Sequence, residues 1–328
     1  MRCPRRGVAQ QRIRIVFWNV ENLFDIWDDS TRLDDDFTPQ GLNHWTAERY
    51  DHKLKQLCRT LVAMGTDDSL GWRPPLLVGM AEVENDKVLR DLCLGTPLRR
   101  YGYKFIHFDS PDRRGIDNAL LYRSDGFKPF LSKAIGVSDS AADFLTRDIL
   151  LVGGTTSEGD TILLLVNHFP SKRGGATAER RRMATAQRLR SLMDSLAAAY
   201  PAAAVVTLGD FNASPSEPVI RKGLMQRHRH GADGFVNLME QLPAGSGSYK
   251  SQDHWSCLDQ IILSRNLTNG HCRLQVCTGE GPVFDAGFLL TDDEKYLGKK
   301  LLRTYLGPRY LGGFSDHLPV FVDLHPVD

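Results

Sequence analysis

The chain has 328 residues, 41% hydrophobic and 25% charged, with a formal net charge of +1. A bulk charge that small excludes a global basic field, so a nucleic-acid partner would have to be gripped by local basic patches. No segment approaches the ~20 consecutive apolar residues needed to span a bilayer, and the cysteines lack the paired spacing of a structural zinc site or a dense disulfide scaffold; Cys272 and Cys277 could form one bridge, but buried thiols are the favoured reading.

The first eleven residues, "MRCPRRGVAQQ", have the basic and small residues found at the two ends of an export signal but not its apolar middle. They read as a tail. If that tail is the remnant of a trimmed signal the protein is periplasmic or secreted; if the chain is complete as given it is cytoplasmic. From residue 12 to 328 the pattern is that of a single domain. "RIRIVFW" (Arg12 to Trp18) and "PLLVGM" (Pro75 to Met80) predict strands, the second apolar enough to be buried on both faces. Between them Thr46 can cap a helix whose Leu54, Leu57, Leu61 and Met64 recur at helical spacing. Further strands are predicted at Tyr103 to Phe108, Asn118 to Tyr122, Asp148 to Val152, Ile162 to Val166, Ala204 to Leu208 and Leu258 to Leu263, with "GGTTSEGD" as a hairpin connection. A helix is predicted from Ala178 to Ala199, with Arg180, Arg181, Arg182, Arg188 and Arg190 as a mostly solvated face. A last strand begins at Val320. The irregular stretches Asp28 to Trp45 and Asp285 to Gly313 are long enough to shape a site. No internal repeat is visible, and strands interleaved with a few helices point to one α/β domain with large mixed sheets.

Polar residues recur where the apolar strands end: Asn19, Glu82, His168, Asp210 with Asn212, and Asp316 with His317. Strand ends are where a rigid element can hold a functional group while the loop leaves it accessible. Each residue alone has a structural explanation as a turn former, a cap or a satisfied core histidine. Together they form one chemistry. Asn19, Glu82 and Asp316 offer hard oxygen ligands for Mg²⁺, or Mn²⁺; Asp210 can take a proton from an attacking water that Asn212 orients, and the two imidazoles can donate to a phosphate.

The motifs "FWNVENLFD", "GMAEVEN", "SPDRRGIDNALLY", "VNHFPSKRGG", "LGDFNASP", "CLDQIIL" and "FSDHLPV" resemble, in order and over residues 12 to 324, those of the endonuclease/exonuclease/phosphatase family, and in detail a bacterial branch of it. The resemblance implies a four-layered α/β sandwich of the deoxyribonuclease I type, with two mixed sheets face to face and helices outside. It also implies that Glu82 is the principal Mg²⁺ ligand with Asn19 and Asp316 nearby, that Asp259 stands behind His317, and that His168 is a second phosphate-side histidine oriented by Asp117. Asn22 and Arg114 would lie near the metal and the phosphate. Arg113, Arg114, Lys172 and Arg173 lie beside these motifs and could hold flanking phosphates; Tyr249, Trp255, Tyr305 and Tyr310 either pack the rim, the favoured reading, or offer stacking surfaces for bases. The expected activity is hydrolysis of a phosphodiester, with nucleic acid as first substrate and no obligate protein partner. Lipid or inositol phosphate hydrolysis, and a non-catalytic binding protein that kept the fold, are the alternatives.

Overall fold

The computed structural model describes residues 12–68, 71–137, 144–226, 234–243, 245–277 and 282–327; the tail, 1–11, lies outside them. Two six-stranded sheets are built from β1 (Ile13–Leu23), β2 (Leu77–Val83), β3 (Tyr103–His107), β4 (Asp117–Arg123), β5 (Phe127–Ile135), β6 (Ile149–Thr156), β7 (Thr161–His168), β8 (Ala204–Asp210), β9 (Phe235–Asn237), β10 (Asp259–Ser264), β11 (Leu274–Val276) and β12 (Val320–Pro326). The first sheet runs β11-β12-β1-β2-β4-β3 and the second β9-β10-β8-β7-β6-β5. In each, a central parallel pair, β1 with β2 and β8 with β7, is flanked on both sides by antiparallel neighbours. The two sheets thus share one pairing plan, although no sequence repeat announces it.

Alternation along the strands sorts the side chains into layers. Ile15 and Phe17 of β1 join Leu164, Val206, Ile261 and Val322 between the sheets, whereas Val16 and Trp18 face helices α1 (Ala47–Ala63) and α2 (Asp86–Gly95). On the far side, Leu163, Leu165 and Val205 pack against Ala186, Leu189 and Met193 of α3 (Gly175–Ala199). The order is helix, sheet, sheet, helix, the expected sandwich. Helix α1 is capped as predicted, with Thr46 accepting from the Arg49 N–H. Helix α2, which was not predicted, starts at Asn85, whose side chain accepts from Lys87 N and Val88 N. The arginines of α3 do not all face solvent. Arg182 and Arg190 are buried, donating to the carbonyls of Ser171 and Leu224, because their long stems cover apolar surface while the guanidinium reaches backbone oxygens.

Strands β1 and β2 run further than predicted, so that Asn19 and Glu82 lie within them. Their pairing registers shift between Asn19 and Leu23 and between Ala81 and Val83, where Glu21, Asn22 and Glu82 have φ of 53°, 53° and 63°. Left-handed backbone at non-glycine residues costs on the order of 1–3 kcal/mol each and persists where surrounding contacts enforce it. The bulges re-aim side chains at the strand ends.

Close approach of the sheets requires Gly79. A Cβ there would fall 2.3 Å from Leu208 Cδ1 and 3.2 Å from Val166 Cγ1. Gly79→Val is therefore expected to cost about 1–3 kcal/mol, read from denaturant unfolding. Combining it with Leu208→Ala should restore part of the loss; strictly additive costs would show that this contact does not set the sheet spacing.

Candidate active site

The inner-face positions that form the inter-sheet core continue, at the ends of the central strands, as polar residues. Asn19 follows Phe17 on β1, Asp210 follows Leu208 on β8, His168 follows Val166 on β7 and Asp259 precedes Ile261 on β10. Asp210 is the register partner of both His168 and Asp259. Its Oδ2 accepts from Asn19 Nδ2 at 3.1 Å across the two sheets and lies 3.6 Å from His168 Nε2 and 3.9 Å from His317 Nε2. Its Oδ1 accepts the Asn212 N–H at 2.8 Å. Asn212, at φ 46°, donates its amide to the Phe169 carbonyl at 3.0 Å, which leaves its side-chain oxygen free to orient a water.

His317 is held by three devices. Its Nδ1 lies 2.7 Å from Asp259 Oδ2, its backbone N–H donates to Ser315 Oγ at 3.0 Å, and its carbonyl accepts from Trp18 Nε1 at 2.9 Å. Asp259 is fully buried and also receives the Ser248 hydroxyl. Tyr249 packs its ring on the imidazole, centroids 5.0 Å apart.

The electrostatics separate these groups. Burial pushes the Asp210 carboxyl up to about 6, with the His317 charge pulling it back and Asp259 pushing further up. Burial opposes charge on His317, but the Asp259 charge and hydrogen bond, then Asp210 and Asp316, outweigh it and hold the imidazole well above its ordinary value. For His168 burial acts in the same direction as the nearby Arg147, Arg114 and His317 charges, and the imidazole falls well below its ordinary value. The surroundings thus favour the cationic form of His317 and the neutral form of His168.

Beside this cluster stand oxygen ligands. Glu82 Oε2 accepts the Asn22 N–H at 2.9 Å, while Oε1 has no hydrogen-bond partner among the described residues although the side chain is only 13% exposed. Asp316 Oδ2 accepts from Arg303 at 2.8 Å, and Oδ1 faces His317 Nε2 at 4.0 Å. Asn19 Oδ1 accepts the Glu21 N–H at 3.1 Å and retains a lone pair. An all-oxygen set with an accessible carboxylate oxygen left for a ligand fits a hard divalent cation. Glu82, Asn19 and Asp316 could hold it.

Sequence reasoning missed the layer beneath. Arg303 donates to Glu21 Oε1 at 3.2 Å as well as to Asp316, and the Thr304 N–H donates to Glu21 Oε2 at 2.6 Å. Lys53 of α1 is buried and donates to Thr304 Oγ1 and the Phe314 carbonyl, both at 2.6 Å. Burial lowers its ammonium to about 8 against the pull of Glu21, Asp316 and Glu82. The alternation of "RYDHKLKQL" places Lys53 on the apolar face of α1, which was the available signal.

The remaining expected residues divide. Arg114 is near the metal ligands, donating to Asn22 Oδ1 at 2.6 Å and lying 3.9 Å from Glu82. Lys172 is engaged by Glu217 at 2.7 Å, and Arg173 is exposed. Tyr305 is buried and Tyr310 packs on it, with Arg49 over the Tyr310 ring; Trp255 packs against the core, so these three fill the rim instead of offering free stacking faces. Asp117 does not orient His168. It shares a strand parity with Ala119 and Leu121, which face the helices, so a one-residue change of face takes it to His107, 3.4 Å from Nε2. The Nδ1 of His168 has no hydrogen-bond partner among the described residues.

A carboxylate poised to take a proton, an imidazolium held beside it and a cation seat made of oxygen belong together in one class of enzyme, the metal-dependent phosphoric ester hydrolases. The sequence matches the Endonuclease/Exonuclease/phosphatase family over residues 14–326, and the chain belongs to that family. No match was found among curated protein sequences. Among solved structures, the human Nocturnin catalytic domain with bound sulfate is similar at 19% identity and a TM-score of 0.57, covering 98% of this chain and 97% of its own. An endonuclease/exonuclease/phosphatase from Bacteroides vulgatus gives 16% identity and 0.60, with 97% and 100% covered. A mannosyl-6-phosphatase of Bacteroides thetaiotaomicron gives 16% and 0.54, with 95% and 99% covered. These likenesses establish the deoxyribonuclease I-like fold.

The contrast between the histidines is measurable in metal-free protein by NMR titration of the imidazole nitrogens. His317 should remain charged, and His168 neutral, on both sides of pH 6.5. A raised histidine stabilises the fold fully below its ordinary value near 6.5 and loses that contribution as pH rises through the raised one. Asp259→Asn should bring the His317 transition down and remove that pH dependence from the unfolding free energy. Coincident transitions for the two histidines would contradict the assignment.

Proposed function

We propose that the chain is a Mg²⁺-dependent phosphodiesterase, with Mn²⁺ able to substitute, and that its substrate is nucleic acid. The observation that carries this reading is the single Asp210 carboxylate shared by Asn19, His168 and His317 beside an oxygen-only cation seat. Bound at Glu82, Asn19 and Asp316, the cation would polarise a phosphoryl oxygen and neutralise charge developing on it. Asp210 takes the proton of the attacking water, which Asn212 orients. His317, charged and gripped by Asp259, donates to a phosphoryl or leaving oxygen, and neutral His168 supplies a second hydrogen bond without adding charge.

A diester is favoured because the extra cations at this site are already countered. Arg303 is paired with Glu21 and Asp316, and Lys53 is buried among them. A monoester, with about two negative charges, calls for spare fixed cations that a diester does not need. Arg114 and Arg173, both accessible, are the residues best placed to meet flanking phosphates, with Lys172 available after leaving Glu217. The phosphatase reading has its own support in the similarity to the mannosyl-6-phosphatase, which extends to the fold.

Substrate choice is tested by comparing kcat/KM for a bis-aryl phosphodiester, the matching monoester and nucleic acid at two salt concentrations. The diester should be favoured at least about tenfold, equivalent to ~1.4 kcal/mol. Nucleic-acid cleavage should weaken more with salt than cleavage of the small diester, since only the polymer releases several counterions. Preference for the monoester would move the enzyme to the phosphatase branch.

Glu82→Gln keeps size and removes the charge a hard cation needs, and turnover should fall on the order of a hundredfold with the fold intact. Near-normal activity of this variant and of chelated wild type would refute the metal requirement. His317→Ala and His168→Ala should each lose roughly two to four orders of magnitude, and the double variant less than the product, because the two share work on one phosphate. An unaffected His168→Ala would make that residue structural.

A further inference from the structure

His107, at the end of β3, has a buried side chain set between two carboxylates. Its side chain is 2% exposed, its Nδ1 lies 3.0 Å from Asp86 Oδ1, and its Nε2 lies at ion-pair distance, 3.4 Å, from Asp117 Oδ2 with no hydrogen-bond partner among the described residues. A ligating histidine commonly gives its second ring nitrogen to a carboxylate, which fixes the tautomer and frees the other lone pair. The ligand atoms of His107, Asp109 and Asp117 lie within 4.8 Å of one another. Asp117 is steadied by the Ser110 N–H on its other oxygen at 2.9 Å.

The surroundings are short of positive charge. Asp109 and Asp117 also line a cleft of about 280 Å³ whose wall carries four more carboxylates, Asp25, Asp28, Asp29 and Glu84, and one arginine, Arg32. Arg32 gives part of its guanidinium to the Asp112 carbonyl. Three observations therefore coincide: an orphaned buried imidazole nitrogen, carboxylates at ligand spacing around it, and an acidic cleft leading to it.

We propose that His107, Asp109 and Asp117 form a second divalent-cation site, separate from the cluster around Glu82 and Asp210. One imidazole nitrogen with carboxylate oxygens suits Mn²⁺ or Zn²⁺ better than Mg²⁺. Asp109 and Asp117 stand on either side of the loop that carries Arg114, so the ion would clamp that loop at both ends and fix where Arg114 meets a substrate phosphate. The competing state is an imidazolium bridging Asp86 and Asp117 with no ion.

The test uses the full chain, stripped with chelator and titrated with Mn²⁺ while free ion is followed by EPR. Glu82→Gln should still bind one Mn²⁺ equivalent, and pulsed EPR of that ion should show coupling to an imidazole nitrogen. Adding His107→Gln should weaken this binding on the order of a hundredfold and abolish the coupling; Asp86→Asn should weaken it by about 10–100-fold through the imidazole it holds. Asp109→Asn, at an exposed residue, gives the same loss of binding where a His107 variant fails to fold. Glu82→Gln protein that binds no Mn²⁺, or whose nitrogen coupling and affinity survive His107→Gln and Asp109→Asn, would overturn the site in favour of the bare imidazolium. Because every readout is taken in the Glu82→Gln background, failure here is distinguishable from failure of the metal assignment at Glu82.

Discussion

The hydrogen bond from Asn19 to Asp210, 3.1 Å between the end of one sheet and the end of the other, is the constraint on which the site depends. It can form only if the sheets approach closely and their central parallel pairs finish at a common edge. Gly79 opposite Leu208 permits the approach, and the shared pairing plan of the two sheets supplies the common edge. Once Asn19 meets Asp210, the registers of β7 and β10 against β8 bring His168 and Asp259 alongside without further instruction. Burial at that junction then makes the charges interact strongly, since few water molecules screen them.

Beneath the junction lies a second constraint, the buried charge layer of Lys53, Glu21 and Arg303. Burial and the Asp316 charge push the Glu21 carboxyl above its ordinary value, and Lys53, Arg303 and the Thr304 N–H pull it part of the way back, so the carboxyl is held by partners that its depth makes necessary. The layer connects α1, the bulge of β1 and the irregular stretch from 285 to 313, and it delivers Asp316 to the site already oriented by Arg303. Strain in the left-handed residues Glu21 and Asn22 is tolerated for the same reason: the side chain of one is locked below and that of the other is engaged by Arg114 above.

Much of this was legible in the sequence because the inter-sheet core alternates cleanly and its polar continuations sit at strand ends. Asn19, Glu82, His168, Asp210 and His317 could be found where apolar runs begin or stop, whereas Asp259 came only from the resemblance to the family. Strand β5 was not legible: one face is exposed and Pro129 interrupts the pattern, which an edge strand accepts but a central one would not. Helix α2 was missed although Val88, Leu89, Leu92 and Cys93 recur at helical spacing behind the Asn85 cap, because ten residues are a short window in which to recognise a period. Asp117 was assigned to the wrong histidine because sequence spacing cannot tell which face of a short strand a residue takes, and the partner it does meet, His107, lies on a neighbouring strand. The burial of Lys53 was legible in its helical spacing, but the contacts that Lys53 and Arg303 make were illegible for a different reason. Their importance comes from long-range pairing, over 261 residues between Lys53 and Phe314, and no local pattern encodes such a contact.

The two histidines show how one fold assigns different charges to identical side chains a few ångströms apart. Both are buried and both approach the same Asp210 oxygen, so desolvation and Asp210 alone would leave them nearly equivalent. What separates them is the other end of each ring. His317 has Asp259 at 2.7 Å behind Nδ1, whereas His168 has no hydrogen-bond partner there and feels Arg147 and Arg114 instead. A charged second histidine would bring two like charges onto one carboxylate and repel the neighbouring arginines. Keeping His168 neutral lets His317 carry the positive charge toward a phosphoryl oxygen while Asp210 remains able to accept a proton, and acid and base can then coexist at one strand-end junction.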